Sequence, residues 1–238
     1  MNPRPLFQIS NWLPHLAALA ALLLCARLAI WQLDRAEEKE QRLQQWQTAP
    51  AMTLDPESPP PLFATVSTVG SFDAERHVLL DNQIRNSHPG VHVFTPFRPS
   101  NSETIYMVNR GWQPWDRNAA QAPTFTAPQG LTAITARVSD APRVGLQLGE
   151  AAPLDSTSWP NLMTYYDSQR IREALGTKVA DEVLLLDPNH PAHLSGDEWA
   201  RVNMGPERHL GYAFQWASIG LAIFLIWLVL TYRKFRRS

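Results

Sequence analysis

The chain contains a single cysteine, Cys25, among its 238 residues. One thiol cannot form an intramolecular disulfide, and it cannot supply a paired-cysteine zinc or copper site. The sequence also lacks a glycine-rich phosphate loop, an HExxH zinc motif and a GxSxG nucleophile elbow. Because no pattern of a catalytic centre is present, we expect a protein that is not an enzyme.

Lysine, arginine, aspartate and glutamate are all missing from residues 5–26 and from residues 209–232. The second stretch contains the apolar segment Gly211–Tyr232, whose helix of about 33 Å is long enough to cross a hydrocarbon core of roughly 30 Å. Tyrosine and tryptophan lie near both of its ends, as is typical of membrane interfaces. We predict a transmembrane helix over residues 209–232.

A second membrane segment is predicted over Trp12–Leu33. Polar side chains interrupt it at three positions, His15, Arg27 and Gln32. The uninterrupted apolar run 16–26 has only the length of a signal peptide. However, leucines occupy positions 23 and 24, where a signal peptidase requires small side chains. Arg27 can reach the interface from near the end of the helix. We therefore expect this span to be retained.

The distribution of charge predicts the orientation. The tail after the second span carries four basic residues and no acidic one, whereas residues 34–208 hold 15 basic and 22 acidic residues. The positive-inside rule therefore places both termini in the cytoplasm and the middle of the chain outside. An acidic outer region gives no reason to expect a nucleic acid as partner.

Short β-like runs fill the outer region, and turn residues separate them. Strands are predicted over Phe63–Phe72, Arg76–Arg85, Val91–Phe97, Thr104–Trp112, Leu131–Val138, Val183–Leu186 and Trp199–Asn203. Ser168–Leu175 is predicted to form a short helix capped by Gly176. No alternation of strands and helices is apparent, which favours a small antiparallel sheet or barrel over a parallel sheet.

The predicted fold is therefore a membrane protein of the α+β class. Two transmembrane helices flank a mainly antiparallel β extracytoplasmic domain with one or two short helices. The predicted segments are a cytoplasmic tail (1–11), the first span (12–33), a helical extension with a proline-rich linker (34–61), the β-rich domain (62–208), the second span (209–232) and a basic tail (233–238).

The outer end of the second span holds a candidate site. His209, Tyr212 and Trp216 are spaced by three and four residues, so they share one face of the helix, and Gly220 continues that face one turn deeper. A histidine at the interface, above an aromatic ring and a glycine, has the chemistry of a haem iron ligand. The alternative is ordinary anchoring of the helix in the interface.

The first span carries cations and a tryptophan at the same level. Arg27, Trp31, Arg35 and Lys39 recur every four residues and form a gently drifting stripe. These cations suit haem propionates or lipid phosphates, and interface anchoring is again the alternative. A third cluster, Arg110, Gly111 and Trp112, ends a strand. It either binds a partner or forms a structural turn with a packed tryptophan.

Three sequence elements resemble the surfeit locus protein 1 family, which includes yeast Shy and its bacterial homologues. Leu28–Arg35 followed by Lys39 is similar to the family signature LGxWQLxRxxxK, with Ala29 in place of the usual glycine. Val108–Pro114 resembles the VNRGWxP element, and His209–Trp216 resembles the HxxYAxQW start of the second helix. The three elements occur in the family order across essentially the whole chain.

The resemblance implies an assembly factor for haem-copper cytochrome c oxidase that acts on the catalytic subunit. Bacterial members are associated with haem a, and the position of His209 is that of the proposed iron ligand. The resemblance also implies Tyr212, Trp216, Trp31 and Arg35 as the surroundings of haem a, and haem a synthase and the lipid bilayer as further partners. A scaffold without a cofactor is the alternative. Because the amino-terminal tail is short, the bacterial inner membrane is the expected location.

Overall fold

The computed structural model describes residues 9–55, 58–115, 123, 125–142, 153–195 and 205–237. The chain divides into two compact units, and each has its own internal contacts. The helical unit comprises Met1–Gln45 and Val202–Ser238, and the β-rich unit comprises Trp46–Arg201. The predicted late strand Trp199–Asn203 lies outside the described residues.

Two long helices form the helical unit. Helix α1 covers Ile9–Thr48 and helix α3 covers Pro206–Arg237. Both are long and apolar enough to cross a membrane, over Trp12–Thr48 and Pro206–Arg236. Helix α1 continues without a break through the predicted extension and ends just before Pro50, since the residue preceding a proline disfavours the helical conformation.

The two helices pack as an antiparallel hairpin. Proceeding along α1, His15 bonds to Trp227, Cys25 packs against Gly220, and Gln32 bonds to His209. Partner numbers fall on α3 as they rise on α1, which only an antiparallel pair can produce. The contact positions are 10 and 7 residues apart on α1 and 7 and 11 residues apart on α3, separations that keep them on the seam of a coiled coil. A Cβ atom built on Gly220 would lie 3.3 Å from the Cys25 Cβ, so the glycine allows the close approach.

Eight strands and one short helix make up the described part of the β-rich unit. The strands are β1 (Ala51–Thr53), β2 (Thr65–Phe72), β3 (Val78–Leu80), β4 (Gly90–Pro99), β5 (Ile105–Pro114), β6 (Leu131–Ser139), β7 (Asn161–Met163) and β8 (Val179–Leu186), and the helix is α2 (Ser168–Leu175). Five of the strand pairings are antiparallel and three are parallel. The mainly antiparallel fold predicted from the sequence is therefore confirmed.

Five of the strands close into a small barrel. The sheet runs in the order β2-β6-β8-β5-β4, and β4 pairs back to β2 through Gly70 and Pro99. Around this ring, neighbouring strands lie in the order β6-β2-β4-β5. The last of these four strands in the chain, β6, therefore lies beside the first, β2, which is the spatial order of a Greek key. OB-folds are five-stranded Greek-key barrels of the same general architecture. Of the two predicted options, sheet or barrel, the structure has the barrel.

Apolar side chains form cores inside and outside the ring. Inside, the buried residues include Val66, Phe97 and Leu184. Outside, helix α2 packs Ile171 and Leu175, which are four residues apart, against the barrel. The predicted bounds and cap of α2 are confirmed: the Asp167 carboxylate accepts from two backbone N–H groups at its start, and Gly176 ends it at φ 64°.

Some strands differ from the predictions. Strand β1 lies within the predicted linker, and both β1 and β7 are too short to show a pattern. The predicted strand Arg76–Arg85 is reduced to Val78–Leu80, since Asn82 adopts φ 58° and turns the chain. Asp181 and Glu182 belong to β8, where Asp181 is exposed and Glu182 is partly buried.

Candidate functional site

His209 and Gln32 meet across the helical hairpin. The His209 Nδ1 lies 2.8 Å from the Gln32 Oε1. An amide oxygen only accepts hydrogen bonds, so the imidazole Nδ1 carries the proton and donates it. Gln32 is itself 8% exposed, and Ala36 and Ala213 are buried one helical turn away. The small side chains allow the helices to approach closely where the two polar groups meet.

The second ring nitrogen of His209 is left with a lone pair. In a neutral imidazole with its proton on Nδ1, Nε2 is an acceptor. Within the described residues this Nε2 is buried and has no hydrogen-bond partner. A histidine that ligates a metal usually donates its other N–H to an oxygen acceptor, which fixes the tautomer. His209 has this arrangement.

A second histidine in the hairpin has the opposite arrangement. The Trp227 indole Nε1 donates to the His15 Nδ1 over 2.8 Å, and the two rings meet edge to face with centroids 5.8 Å apart. Because indole N–H is only a donor, the proton of a neutral His15 lies on Nε2. That nitrogen then has no free lone pair for a metal. Of these two histidines, only His209 presents a ligand atom.

The other predicted residues lie along one side of the hairpin. An α-helix turns by about 100° per residue, so Trp31 and Arg35 lie about 100° and about 60° to one side of Gln32. Tyr212 lies about 60° from His209, in the same rotational sense about its own helix. Because the two helices are antiparallel, this rotation places Tyr212 on the side of the hairpin that also carries Trp31 and Arg35. The Arg35 guanidinium lies over the Trp31 ring at 5.9 Å. Trp31 and Tyr212 are 43% and 49% exposed.

The structure therefore brings the predicted residues together in part. It joins Arg35 to Trp31, and it places Trp216 close to the helix–helix seam two turns from His209. In the described part of the chain, no direct hydrogen bond joins His209 to Trp31, Arg35 or Tyr212. The resulting surface combines exposed aromatic rings with one cation, beside a buried imidazole nitrogen.

This arrangement fits haem better than a bare metal ion. Among the described residues, no group of three or more His, Cys, Asp or Glu side chains could hold a metal ion. A single imidazole nitrogen can therefore retain only a metal that brings its other ligands with it, as haem iron does. The unpartnered Nε2 of His209 is the observation that supports the fit.

Arg110 lies inside the barrel, where it is 2% exposed. Its Nε donates to the Ala192 carbonyl over 2.9 Å, and its Nη2 donates to the Thr126 carbonyl over 2.7 Å. Its Nη1 lies 3.5 Å from the Thr95 hydroxyl. No carboxylate of the described residues forms an ion pair with it. Burial lowers the pKa of Arg110 to about 10, so the side chain is still charged at neutral pH.

Gly111 and Trp112 extend this set of internal contacts. Gly111 adopts φ 113°, and a Cβ atom there would lie 2.8 Å from the Ser195 carbonyl oxygen. The Trp112 Nε1 donates to the Gln83 carbonyl over 2.7 Å. Arg110, Gly111 and Trp112 thus connect β5 to three other segments of the same unit. These contacts favour the structural interpretation of the cluster over partner binding.

A model of the SURF1 family matches residues 19–221, which is most of the chain. The chain belongs to the SURF1 family.

Similar proteins agree with this assignment. A SURF1-like protein of Caenorhabditis elegans is 26% identical over 231 residues, covering 87% of this chain and 67% of the relative. A SURF1-like protein of the bacterium Rickettsia bellii is 27% identical over 242 residues, covering 94% of this chain and 90% of the relative. A Caenorhabditis briggsae relative is 27% identical over 180 residues, and this alignment covers about half of that protein (50%) and 74% of this chain.

The SURF1 match spans both halves of the hairpin site, including Gln32 and His209. Membership supports, at the level of the family, a non-catalytic assembly role for a membrane protein. The helices long enough to cross a membrane agree with this.

Two residues of interest were not predicted from the sequence. From the sequence, Gln32 was identified only as a polar interruption of an apolar span, although a buried amide in such a span needs a hydrogen-bond partner. His77 was predicted to be an ordinary strand residue, yet it is 3% exposed just before β3. Its Nδ1 lies 3.0 Å from the Thr95 hydroxyl, which Arg110 also approaches.

His77 is expected to make the β-rich unit sensitive to mild acid. Burial, and then the charge of Arg110, lower the pKa of His77 below its ordinary value of 6.5, and the smaller effects of backbone hydrogen bonds with Phe125 and Ala74 and of the charge of Asp73 oppose this. Because the depressed pKa favours the neutral folded form, the stabilisation is complete above pH 6.5 and is lost as the pH falls toward the folded pKa. The denaturant concentration at the midpoint of unfolding should therefore decrease when the pH is lowered from 7.5 to 5.5.

The matched variant is His77→Asn, which keeps a hydrogen-bonding group near the position of Nδ1 and does not titrate. Its midpoint should fall less than that of the wild type over the same pH range. Equal decreases in the two proteins would mean that other groups cause the acid sensitivity.

Proposed function

We propose that this SURF1 family member is an assembly factor for haem-copper cytochrome c oxidase that assists the delivery or insertion of haem a into the catalytic subunit. The observation that supports the proposal is the state of His209. Its Nδ1 donates to Gln32, and its buried Nε2 has a lone pair without a hydrogen-bond partner in the described structure. This is the state that an iron ligand requires.

The neighbouring side chains suit the rest of the haem molecule. Haem, when bound, would supply an iron that takes a nitrogen ligand, a flat apolar ring and two carboxylates. Trp31, Tyr212 and Trp216 offer aromatic surface on the same side of the hairpin as His209. Arg35 lies one turn along α1 from Trp31, toward the outer end of the span, where its guanidinium, which also pairs with Glu38, can reach a carboxylate of the cofactor. A single histidine, rather than two, suits a cofactor that must be passed on.

We further propose that the chain resides in a bacterial inner membrane. Both termini would be cytoplasmic and the β-rich unit periplasmic. The basic residues at the carboxyl-terminal end of α3 and the excess of acidic residues between the helices support this orientation. The Rickettsia relative, which matches along nearly the whole chain, supports a bacterial setting. The catalytic subunit of the oxidase, and haem a synthase as the donor, would then be partners in the same membrane.

The test is the visible spectrum of the detergent-purified protein, co-expressed with haem a synthesis. We expect a Soret band in the wild type and a band weaker by roughly tenfold or more in His209→Ala, because the variant lacks the imidazole nitrogen that would hold the iron. His15→Ala is the matched control, since it removes a histidine that also bonds across the hairpin but presents no free lone pair. An equal loss of colour in both variants would show that the hairpin's integrity, not ligation by His209, retains haem.

A scaffold without a cofactor is the second candidate. The pair His15–Trp227 favours it, because it shows that a histidine hydrogen bond in this hairpin can serve only to hold the helices together. If the pair His209–Gln32 serves the same purpose, wild type and both variants should be colourless while remaining folded and monodisperse. That outcome would leave family membership intact and remove haem from the function.

A further inference from the structure

We propose that Gln32 positions His209 for iron ligation by holding the proton on Nδ1, so that the Nε2 lone pair is available. The ligation part of this inference rests on the proposed function. The hydrogen bond and the tautomer that it selects are properties of the protein without haem. Gln32 is a positioning residue, since it acts through His209 and not on iron.

An amide side chain in an apolar span is costly unless it has a hydrogen-bond partner. An uncharged polar group buried without a partner is unfavourable by several kcal/mol in a hydrocarbon-like medium. Gln32 is 8% exposed and lies in the charge-free contact seam of α1. Its 2.8 Å contact with His209 satisfies the carboxamide oxygen. The position therefore selects a side chain that can bond to the imidazole.

The type of hydrogen-bond partner decides the tautomer of each histidine. Both histidines of the hairpin bond across it through Nδ1. The indole of Trp227 donates to His15, so the proton of His15 moves to Nε2. The amide oxygen of Gln32 accepts from His209, so its proton stays on Nδ1. A hydrogen bond that only held the helices together could have either direction, with the histidine as donor or as acceptor. Only a partner that accepts from Nδ1 leaves the Nε2 lone pair available for iron.

The acceptor that Gln32 offers to His209 is neutral. A carboxylate at this position would pull the Nδ1 proton more strongly and make the imidazole a stronger, more anionic donor to iron. An amide oxygen orients the ring with less effect on its electron density. Hydrogen bonding around a ligand is one of the means by which a protein sets the reduction potential of a haem. A neutral acceptor gives a moderate ligand, which suits a haem that is released again.

The experiment compares Gln32→Leu and Gln32→Glu with the wild type in the full-length protein. Leucine has a similar volume but no acceptor, whereas glutamate keeps an acceptor oxygen at the same reach. In haem-free protein with ¹⁵N-labelled histidine, the imidazole shifts of His209, assigned with His209→Ala, report the tautomer. We expect the Nδ1–H form in the wild type and in Gln32→Glu. In Gln32→Leu this preference should be lost.

The spectrum of the haem-loaded protein is the second readout. Haem retention should fall about tenfold in Gln32→Leu, which is typical for loss of a partner to a metal-bound histidine. Gln32→Glu should retain haem and shift its reduction potential to more negative values. If Gln32→Leu does not fold, Gln32→Met provides a second apolar variant of similar length. Helical circular dichroism and a single elution volume identify folded samples.

The outcomes separate this inference from the proposed function. If the wild type binds haem through His209, but Gln32→Leu keeps the same tautomer and the same haem content, the role of Gln32 is wrong and the proposed function stands. If the tautomer follows Gln32 as expected but the wild type never binds haem, the ligation part is overturned together with the proposed function. Loss of both tautomer preference and haem in Gln32→Leu supports the whole inference.

Discussion

Replacement of Arg110 by alanine is expected to destabilise the β-rich unit by about 4 kcal/mol. The change removes the donor to the carbonyl groups of Ala192 and Thr126, at roughly 1–3 kcal/mol for each group left fully orphaned, whereas the Thr95 hydroxyl keeps its contact with the His77 Nδ1. It also leaves a cavity inside the barrel, and large-to-small changes in a core cost roughly 2–5 kcal/mol. Removal of a buried charge that has no carboxylate partner offsets part of this loss.

Two further variants separate these contributions. Arg110→Met removes the charge and the donors but refills most of the volume, so it should cost about 2 kcal/mol less than alanine. Arg110→Lys keeps the charge but cannot span three acceptors with one ammonium group. Urea-dependent hydrogen exchange of peptides from β4 and β5 measures the stability of this unit in the full-length protein. An unchanged midpoint for Arg110→Ala would contradict a structural role for the arginine.

The helices could be predicted from the sequence because their signals are local. The absence of charge over residues 209–232 predicts α3, and the cap residue Gly176 with a short amphipathic run predicts α2. The three-residue strand β7 was missed because it exists only through its pairing with β3, about 80 residues earlier in the chain. Closure of the barrel by Gly70 and Pro99 is a long-range event that no local pattern encodes.

The candidate site shows the same division. The spacing of His209, Tyr212 and Trp216 predicted a shared face, and the helix geometry keeps them near one another. The partner of His209 could not be predicted, because the register of α1 against α3 depends on which small residues face each other, such as Gly220 opposite Cys25. The partner and the tautomer of His209 depend on this register, and so does the difference between His209 and His15.

Arg110 was predicted only as an alternative between two roles because its surroundings come from distant segments. Its acceptors lie on residues 126 and 192, far from β5 in sequence, and a lone arginine is rarely buried without a carboxylate. Burial of Arg110 also affects His77, since the guanidinium charge opposes protonation of that ring. Arg110 and His77 both contact the Thr95 hydroxyl, so the stability effects of substituting the two residues should be non-additive.

Replacement of Gly111 by alanine is expected to cost about 3 kcal/mol. At φ 113° an alanine is strained, and such conformations cost roughly 1–3 kcal/mol. Its Cβ would also lie 2.8 Å from the Ser195 carbonyl oxygen, which accepts from the Trp112 N–H. Moving this segment away weakens that hydrogen bond and the 2.7 Å bond from the Leu194 N–H to the Arg110 carbonyl, each worth about 1 kcal/mol.

Gly130→Ala is the matched control for this prediction. Gly130 also has a positive φ, 78°, but a Cβ atom there meets nothing within 4 Å. Its substitution should therefore cost only the conformational part, about 1 kcal/mol. Hydrogen exchange in the two variants should differ mainly in peptides of β5 and in residues 192–195, because only Gly111 contacts that segment. If Gly111→Ala and Gly130→Ala lose equal stability, backbone strain alone explains the cost of replacing Gly111. The packing of residues 192–195 against β5 would then not require a glycine at this position.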